Sequence, residues 1–168
     1  MVDARALLLD EVRAGKALQL ATLGADGAPA VCNLWFASNF DPDRLYFISR
    51  PSRAHCENLR RDPRVAGAVL AIQLEDPGST AVRGVQFTGR AVELPTTGID
   101  EQIAIYARRW PATANAIDPE RMERGEAHHR VYQIDVTDWV LYDEANFGKD
   151  PRQPVPVYAN GRGAGGPG

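Results

Sequence analysis

The spacing of hydrophobic positions changes along the chain, and each change marks a predicted element. Residues 3–14 place apolar side chains on one helical face, which predicts an amphipathic helix ended by Gly15. From residue 17 onward, apolar and polar positions alternate, as in a half-buried strand. The sequence Gly-Ala-Asp-Gly at 24–27 is typical of a tight turn. Residues 17–23 and 29–36 are therefore predicted to form a β-hairpin.

The later elements are predicted by the same reasoning. Further strands are predicted at residues 45–48, 65–72, 83–94 and 130–141, and further helices at 52–61 and 97–109. The run 65–72 is almost wholly apolar, so it is predicted to be buried on both faces. Gly89 interrupts the next strand and indicates a bulge or a sharp bend. Loops are predicted at 39–43 and 74–80, and an irregular polar segment at 110–129.

Six strands with two or three flanking helices indicate a mainly β fold. The strands are short, mostly adjacent and predicted to be antiparallel, which favours a small closed or split barrel over a doubly wound parallel sheet. We expect one domain over residues 1–150. Residues 151–168 are rich in proline and glycine and are expected to form a tail, disordered over its last eight residues.

Composition excludes several classes of protein. A chain of 168 residues with 44% hydrophobic residues is long enough for one ordinary core. Its net charge of −3 gives no general attraction to nucleic acid or to an anionic membrane, so a cationic site must be local. The first residues lack the apolar run of a signal peptide or membrane span, which predicts a cytoplasmic protein. Cys32 and Cys56 are expected to be reduced thiols.

Local positive charge is concentrated after the predicted strand at 45–48. Ser49, Arg50, Ser52, Arg53 and His55 follow it, and Ser52 has the residue type of a helix N-cap. Hydroxyls, guanidinium groups and the amides of a first helical turn are groups that bind phosphate. A second interpretation remains open, in which Ser52 only caps the helix and the arginines are solvated.

The order of these motifs resembles the FMN-binding split-barrel superfamily, which includes pyridoxamine 5'-phosphate oxidase. The resemblance rests on the hairpin, RPSRAHCENLRRDPRVA at 50–66 and RGVQFTGRAVEL at 83–94. It covers about residues 17–95 and returns at the last strand. The late pair Phe147-Gly148 and the histidine in the phosphate helix are most similar to one bacterial branch, in which His55 would be that histidine.

The resemblance implies a homodimer with FMN at the subunit interface, the phosphate at the cationic turn and the flavin ring along the second strand. Trp110 and Phe147 would reach across from the partner subunit, and Gly84 and Gln86 would approach from the fifth strand. The implied cofactor-binding residues are Asn33, Leu34, Trp35, Phe36, Ser49, Arg50, Ser52, Arg53, His55, Gly84, Gln86, Trp110 and Phe147. No catalytic residue is indicated.

The chain also departs from the oxidase pattern. Cys32 aligns where the oxidase has a phosphate-binding arginine, the helix spacing is one residue longer, and the oxidase's C-terminal substrate signature is missing. We therefore do not expect oxidation of pyridoxamine phosphate. Three hypotheses follow: an FMN-dependent oxidoreductase, a deazaflavin-dependent reductase, and a non-catalytic protein that binds another small anion in the same barrel.

Two further candidates carry alternative interpretations. His128 and His129 lie near Glu126, but adjacent residues point in different directions and no third ligand is near in sequence, so no metal site is expected. Trp35 fits either the core or a contact with the flavin.

Overall fold

The computed structural model describes residues 1–71 and 81–159, which form a mainly β structure with flanking helices. The strands are β1 (Ala17–Leu23), β2 (Pro29–Trp35), β3 (Ala37–Phe40), β4 (Asp43–Ser49), β5 (Arg64–Val69), β6 (Arg83–Glu93), β7 (Arg130–Asp143) and β8 (Arg152–Val155). The helices are α1 (Ala4–Ala14), α2 (Ala54–Arg61), α3 (Asp100–Arg109), α4 (Pro119–Glu123), α5 (Glu144–Phe147) and a 3-10 helix (Pro111–Ile117). The predicted loop at 74–80 and the predicted disordered end at 161–168 lie outside the described residues.

One curled antiparallel sheet contains all the described strands, in the order β2-β1-β5-β6-β7-β4-β3, with β8 also paired to β7. The long strand β7 organises this sheet. Along one side it pairs with β6, and along the other it pairs first with β4 and then with β8. The predicted split-barrel architecture is therefore confirmed, and β7 joins its two parts.

The hydrophobic pattern predicts six strands, whereas the described residues form eight. β3 begins before the predicted loop at 39–43 and runs into it. Its polar residues Ser38 and Asn39 hide the alternation of a strand, and its pairing with β4 defines it. β8 lies in the segment assigned to the tail. It contains Pro154, which is tolerated because β8 pairs only with β7 and lies at an edge.

The predicted bend at Gly89 is confirmed as a register shift between Thr88 and Gly89 in the β6–β7 pairing. A Cβ atom at Gly89 would lie 2.6 Å from the backbone oxygen of Asp135. Gly89→Ala is therefore expected to destabilise the fold by about 1–3 kcal/mol, since two strands would have to separate. Urea denaturation measures the effect. Arg90→Ala, at the exposed neighbouring position, is the control, and equal stabilities of the two variants would contradict the prediction.

Two hydrophobic clusters fill the fold. The larger lies inside the curled sheet, covered by α1 and α2, and contains Phe47, Phe87 and Trp139. The smaller is built by α3 and the 3-10 helix, where Ile103 and Tyr106 pack on the predicted apolar face of α3. Every helix in the described parts of the chain is too short to span a bilayer, the longest having 11 residues.

β5 differs from its prediction as a strand buried on both faces. Val65 and Val69 are buried, whereas Ala66 between them is exposed. Ala66 and Ala68 contribute to the apolar run, but they lie on the outer face of the sheet, where a groove of about 750 Å³ crosses β1, β5 and β6. One face of this part of the sheet is therefore open.

Candidate functional site

A cavity of about 320 Å³ opens where β4 ends and α2 begins. β2, the end of β4, the turn before α2, the α3 region and the segment before β7 all contribute to it. Its lining residues are Asn33, Trp35, Ile48, Ser49, Arg50, Arg53, Tyr106, Thr113 and His129. Five of the thirteen predicted cofactor-binding residues are thus brought together: Asn33, Trp35, Ser49, Arg50 and Arg53.

The turn between β4 and α2 places two arginines at this cavity. The amide of Arg53 donates to the carbonyl of Arg50 at 3.0 Å, which closes the turn. Both side chains are exposed, and within residues 1–71 and 81–159 neither forms an ion pair. α2 is held against β1 because Asn58 donates to the Thr22 hydroxyl at 3.0 Å in the interior. The turn therefore places two arginine side chains at the cavity, and the helix that follows it is anchored to the sheet.

The prediction that Ser52 caps the helix is wrong. α2 begins at Ala54, and Arg53 occupies the N-cap position without a side-chain capping bond. The turn closed by Arg50 and Arg53 uses residues 50–53, so the helix starts later than the serine predicts. Ser52 is exposed and lines a separate surface groove with Arg60 and Glu93. Its hydroxyl is thus not among the groups that line the cationic cavity.

His55 does not line the cavity, but it forms a hydrogen bond with Ser49, which does. The Oγ atom of Ser49 lies 2.8 Å from Nε2 of His55, and the serine is 7% exposed. Burial, and then the positive charge of Arg53, lower the pKa of His55 below its ordinary value. When the neutral ring carries its proton on Nε2, it donates to Ser49, and the serine hydroxyl remains free to donate to an anion.

The lowered pKa of His55 predicts how stability depends on pH. The unfolded chain takes up a proton near pH 6.5, while the folded protein resists it, so the free energy of unfolding should fall as the pH decreases below 6.5. His55→Gln is expected to reduce this loss, measured by urea denaturation between about pH 7.5 and about pH 5.5. Ser49→Ala is the control, because it keeps the partly buried ring of His55 and should keep the slope. An unchanged slope in His55→Gln would refute the assignment.

Trp35, which lines the cavity, stacks on a second tryptophan, Trp110. The rings of Trp35 and Trp110 are stacked, with centroids 5.0 Å apart and an angle of 15° between their planes. Trp110 also donates its indole N–H to the carbonyl of Phe36 at 2.8 Å. Trp110 therefore packs within its own chain, where α3 ends beside β2, and its expected contact with a partner subunit stays a prediction. Trp35 is 58% exposed, so its side chain lies outside the core.

Successive side chains of β2 point to opposite faces of the sheet, so the cofactor-binding residues predicted along this strand fall into two groups. Asn33 and Trp35 face outward, whereas Cys32 and Leu34 pack against the core. Phe36 follows the strand and is fully buried. The side chains of Leu34 and Phe36 are therefore turned away from the cavity. Burial, with a smaller effect of Cys56, raises the pKa of Cys32 to about 11, so this position carries a neutral thiol.

The remaining predicted residues lie elsewhere. Gln86 lines the groove on the outer face of the sheet, and a Cβ at Gly84 would lie 2.7 Å from Leu70 Cδ2. Phe147 is partly buried against the hydrophobic core of its own chain, and its expected contact with a partner subunit stays a prediction. These residues were predicted from the resemblance, and within a single chain they lie away from the cationic cavity.

His129, which the sequence suggested only as a possible metal ligand, also lines the cavity. Burial lowers its pKa, followed by the charges of Arg50, His128 and Arg53. Strand pairing explains this position. Ser49 pairs with Arg130, and this register brings His129, the residue before Arg130, to the turn. Tyr106 also lines the cavity, and burial raises its pKa to about 12. Among the described residues, no group of three His, Cys, Asp or Glu side chains is placed to hold a metal.

Solved structures with this fold bind more than one cofactor. A heme binding protein from Mycobacterium smegmatis is 18% identical with a TM-score of 0.72, over 92% of this chain and 58% of its own length. HutZ, the heme storage protein from Vibrio cholerae, is 18% identical with a TM-score of 0.64, over 81% of this chain and 92% of its own. A FAD-binding protein from Mesorhizobium loti is 23% identical with a TM-score of 0.62, over 80% and 90%.

At these identities, the three structures show a shared fold and nothing more specific. No curated protein matches the chain by sequence. The family model for pyridoxamine 5'-phosphate oxidase matches residues 6–143, which include the hairpin, the cationic turn and most of the sheet. The chain therefore belongs to the pyridoxamine 5'-phosphate oxidase family.

Proposed function

We propose that this protein binds FMN at the cationic cavity and is an FMN-dependent oxidoreductase acting on a small molecule. The observation that carries the proposal is the pair Arg50 and Arg53, which face the cavity without carboxylate partners among the described residues, beside the buried hydroxyl of Ser49. These donors fit a phosphate monoester, which accepts several charge-assisted hydrogen bonds. FMN, when bound, supplies hydride transfer.

The cavity continues toward a surface suited to the ring of the cofactor. Asn33 lines both the cationic cavity and a neighbouring groove of about 420 Å³. Gln19 lines that groove and the larger one that contains Gln86. A phosphate held at the turn would therefore leave the rest of the cofactor on the outer face of β2 and β1. Asn33 would orient the flavin ring by hydrogen bonding, and Trp35 would pack against an apolar part of that ring.

A homodimer with the cofactor at its interface is part of the proposal. The outer face of the sheet exposes apolar side chains, including Val31 at 69% and Trp35 at 58%. A second copy packed on this face would exclude water from a bound ring, which the open grooves of one chain cannot do. Sedimentation analysis of the protein with and without FMN tests this point. A protein that stays monomeric when saturated with FMN would contradict it.

The test of function compares ligands that differ only in the required group. FMN should quench the fluorescence of the Trp35–Trp110 pair at micromolar concentration, and riboflavin, which lacks the phosphate, should bind at least about tenfold more weakly. A deazaflavin cofactor is titrated in parallel, and stronger binding of it would select the reductase hypothesis. A small anion that raises the melting temperature, with no flavin binding, would favour the non-catalytic hypothesis.

Haem is a second candidate ligand, and His129 is the observation that favours it. This imidazole lines the cavity, and its lowered pKa keeps it neutral, as an axial ligand requires. Hemin titration should then give a Soret shift that is lost in His129→Ala. The two arginines and the hydroxyl at the same cavity fit a phosphate better than a porphyrin face, so FMN remains the favoured ligand.

A further inference from the structure

A second cavity, of about 500 Å³, lies between the C-terminal ends of α1 and α3 and the edge strand β3. It shares no lining residue with the cationic cavity proposed for FMN. Its lining residues are Arg13, Ala37, Ser38, Asn39, Phe40, Asp41, Ile105, Arg108 and Arg109. Three of these are arginines, whereas the whole chain has a net charge of −3, so positive charge is gathered here locally.

These charges are only weakly compensated. Asp41 is the one carboxylate in the lining. Arg13 lies 3.6 Å from Asp10, but both side chains are more than half exposed, and such pairs contribute little. Within the described parts of the chain, Arg108 and Arg109 form no ion pair. An anion entering this cavity would therefore meet arginines that remain available.

Arg109 is held in place without a counter-ion. Its guanidinium donates to the carbonyl of Gly15 and lies 5.2 Å from the centre of the Phe36 ring. Its Nε atom is buried and lacks a hydrogen-bond partner among the described residues. Burial lowers the pKa of Arg109, which means that its charge is poorly solvated. A fixed and poorly solvated cation loses little entropy when it binds an anion.

The other lining residues indicate what the uncharged part of the ligand would be. Phe40, Ala37 and Ile105 supply apolar surface, while Ser38 and Asn39 supply polar groups along β3. We infer that this cavity binds a small organic anion, a carboxylate or a phosphate ester attached to a planar apolar group. The arginines would hold the charged group, and Phe40 and Ile105 would contact the planar group.

Titration by NMR with phenyl phosphate, benzoate and neutral phenol tests this inference. Phenyl phosphate or benzoate should shift the amide signals of residues 37–41 and 105–109, and the stronger of the two identifies the charged group. Phenol should leave these signals unchanged. Shifts confined to residues 49–53 would overturn this inference while supporting the FMN cavity, so the two proposals fail separately. An absence of shifts at both regions would also overturn it.

Charge-removing variants complete the test. Arg13→Gln and Arg108→Gln together should weaken binding of the probe by about fivefold or more, because two exposed cations are lost. Both side chains are exposed, so folding should be retained. Arg90→Gln removes one exposed charge outside the cavity and should change affinity less than twofold, by analogy with screened surface charges. An equal loss in Arg90→Gln would overturn the inference, since it would reveal only general attraction.

Discussion

Replacing Arg50 and Arg53 together by glutamine is expected to weaken FMN binding by about 100-fold or more. Each arginine would donate a charge-assisted hydrogen bond to the phosphate, worth about 1.5 kcal/mol or more, and about 1.4 kcal/mol corresponds to tenfold. Both residues line the cavity and lack ion-pair partners in the described structure, so their removal should leave the fold intact. Fluorescence titration measures the loss.

Riboflavin gives the control within the same variant. Because it has no phosphate, its weak binding should change by less than about threefold when the two arginines are removed. Arg90→Gln removes an exposed positive charge outside the cavity and should retain FMN affinity. If the double variant bound FMN as the unchanged protein does, the phosphate would not lie at this turn. If riboflavin and FMN lost affinity equally, the arginines would act on the ring or on the fold.

Asp43→Ala is expected to reduce the free energy of unfolding by about 3–5 kcal/mol. The carboxylate is fully buried and accepts two bonds from Arg5, at 2.7 and 2.9 Å. It also accepts from the indole of Trp139 at 2.9 Å and from the amide of Tyr158 at 3.1 Å. Its loss would leave the nearly buried guanidinium of Arg5 without its carboxylate partner and would remove the side-chain bonds that link β4 to α1 and to the C-terminal segment. Urea denaturation measures the effect.

An exposed ion pair provides the matched control for Asp43. Asp135 pairs with Arg44 at 2.8 Å, but its side chain is 52% exposed. Asp135→Ala should therefore cost about 1 kcal/mol or less. The double variant Arg5→Leu/Asp43→Leu should be more stable than Asp43→Ala, because it leaves no unpaired buried charge. Equal costs for Asp43→Ala and Asp135→Ala would show that the buried network does not stabilise the fold.

Most of the fold was accessible from the sequence because alternation and turn residues act locally. The hairpin of β1 and β2, the bend at Gly89 and the apolar face of α3 all followed from residue spacing. β3 and β8 were missed for the same reason, since one is polar and the other contains proline. Both exist as strands because a neighbouring strand satisfies their backbone groups.

The candidate site was predicted less completely. Arg50 and Arg53 could be found because they follow directly after a strand, and Asn33 and Trp35 through the resemblance and the alternation of β2. The prediction that Ser52 caps α2 was wrong because residues 50–53 form a closed turn and the helix begins after it, at Ala54. The position of His129 at the turn was not predicted, because no local pattern connects the two and only the pairing of β4 with β7 brings them together.

The sequence alone determined that this chain is a mainly β protein with a cationic turn before its second helix. These properties depend on contacts between residues close in the chain, and such contacts leave a periodic or compositional signature. Only the tertiary structure decided which cations share a cavity, that Trp110 stacks on Trp35, and that Asp43 links Arg5 to Tyr158. Those contacts link residues far apart in sequence, and the pairing of the strands in the curled sheet sets the distances between them.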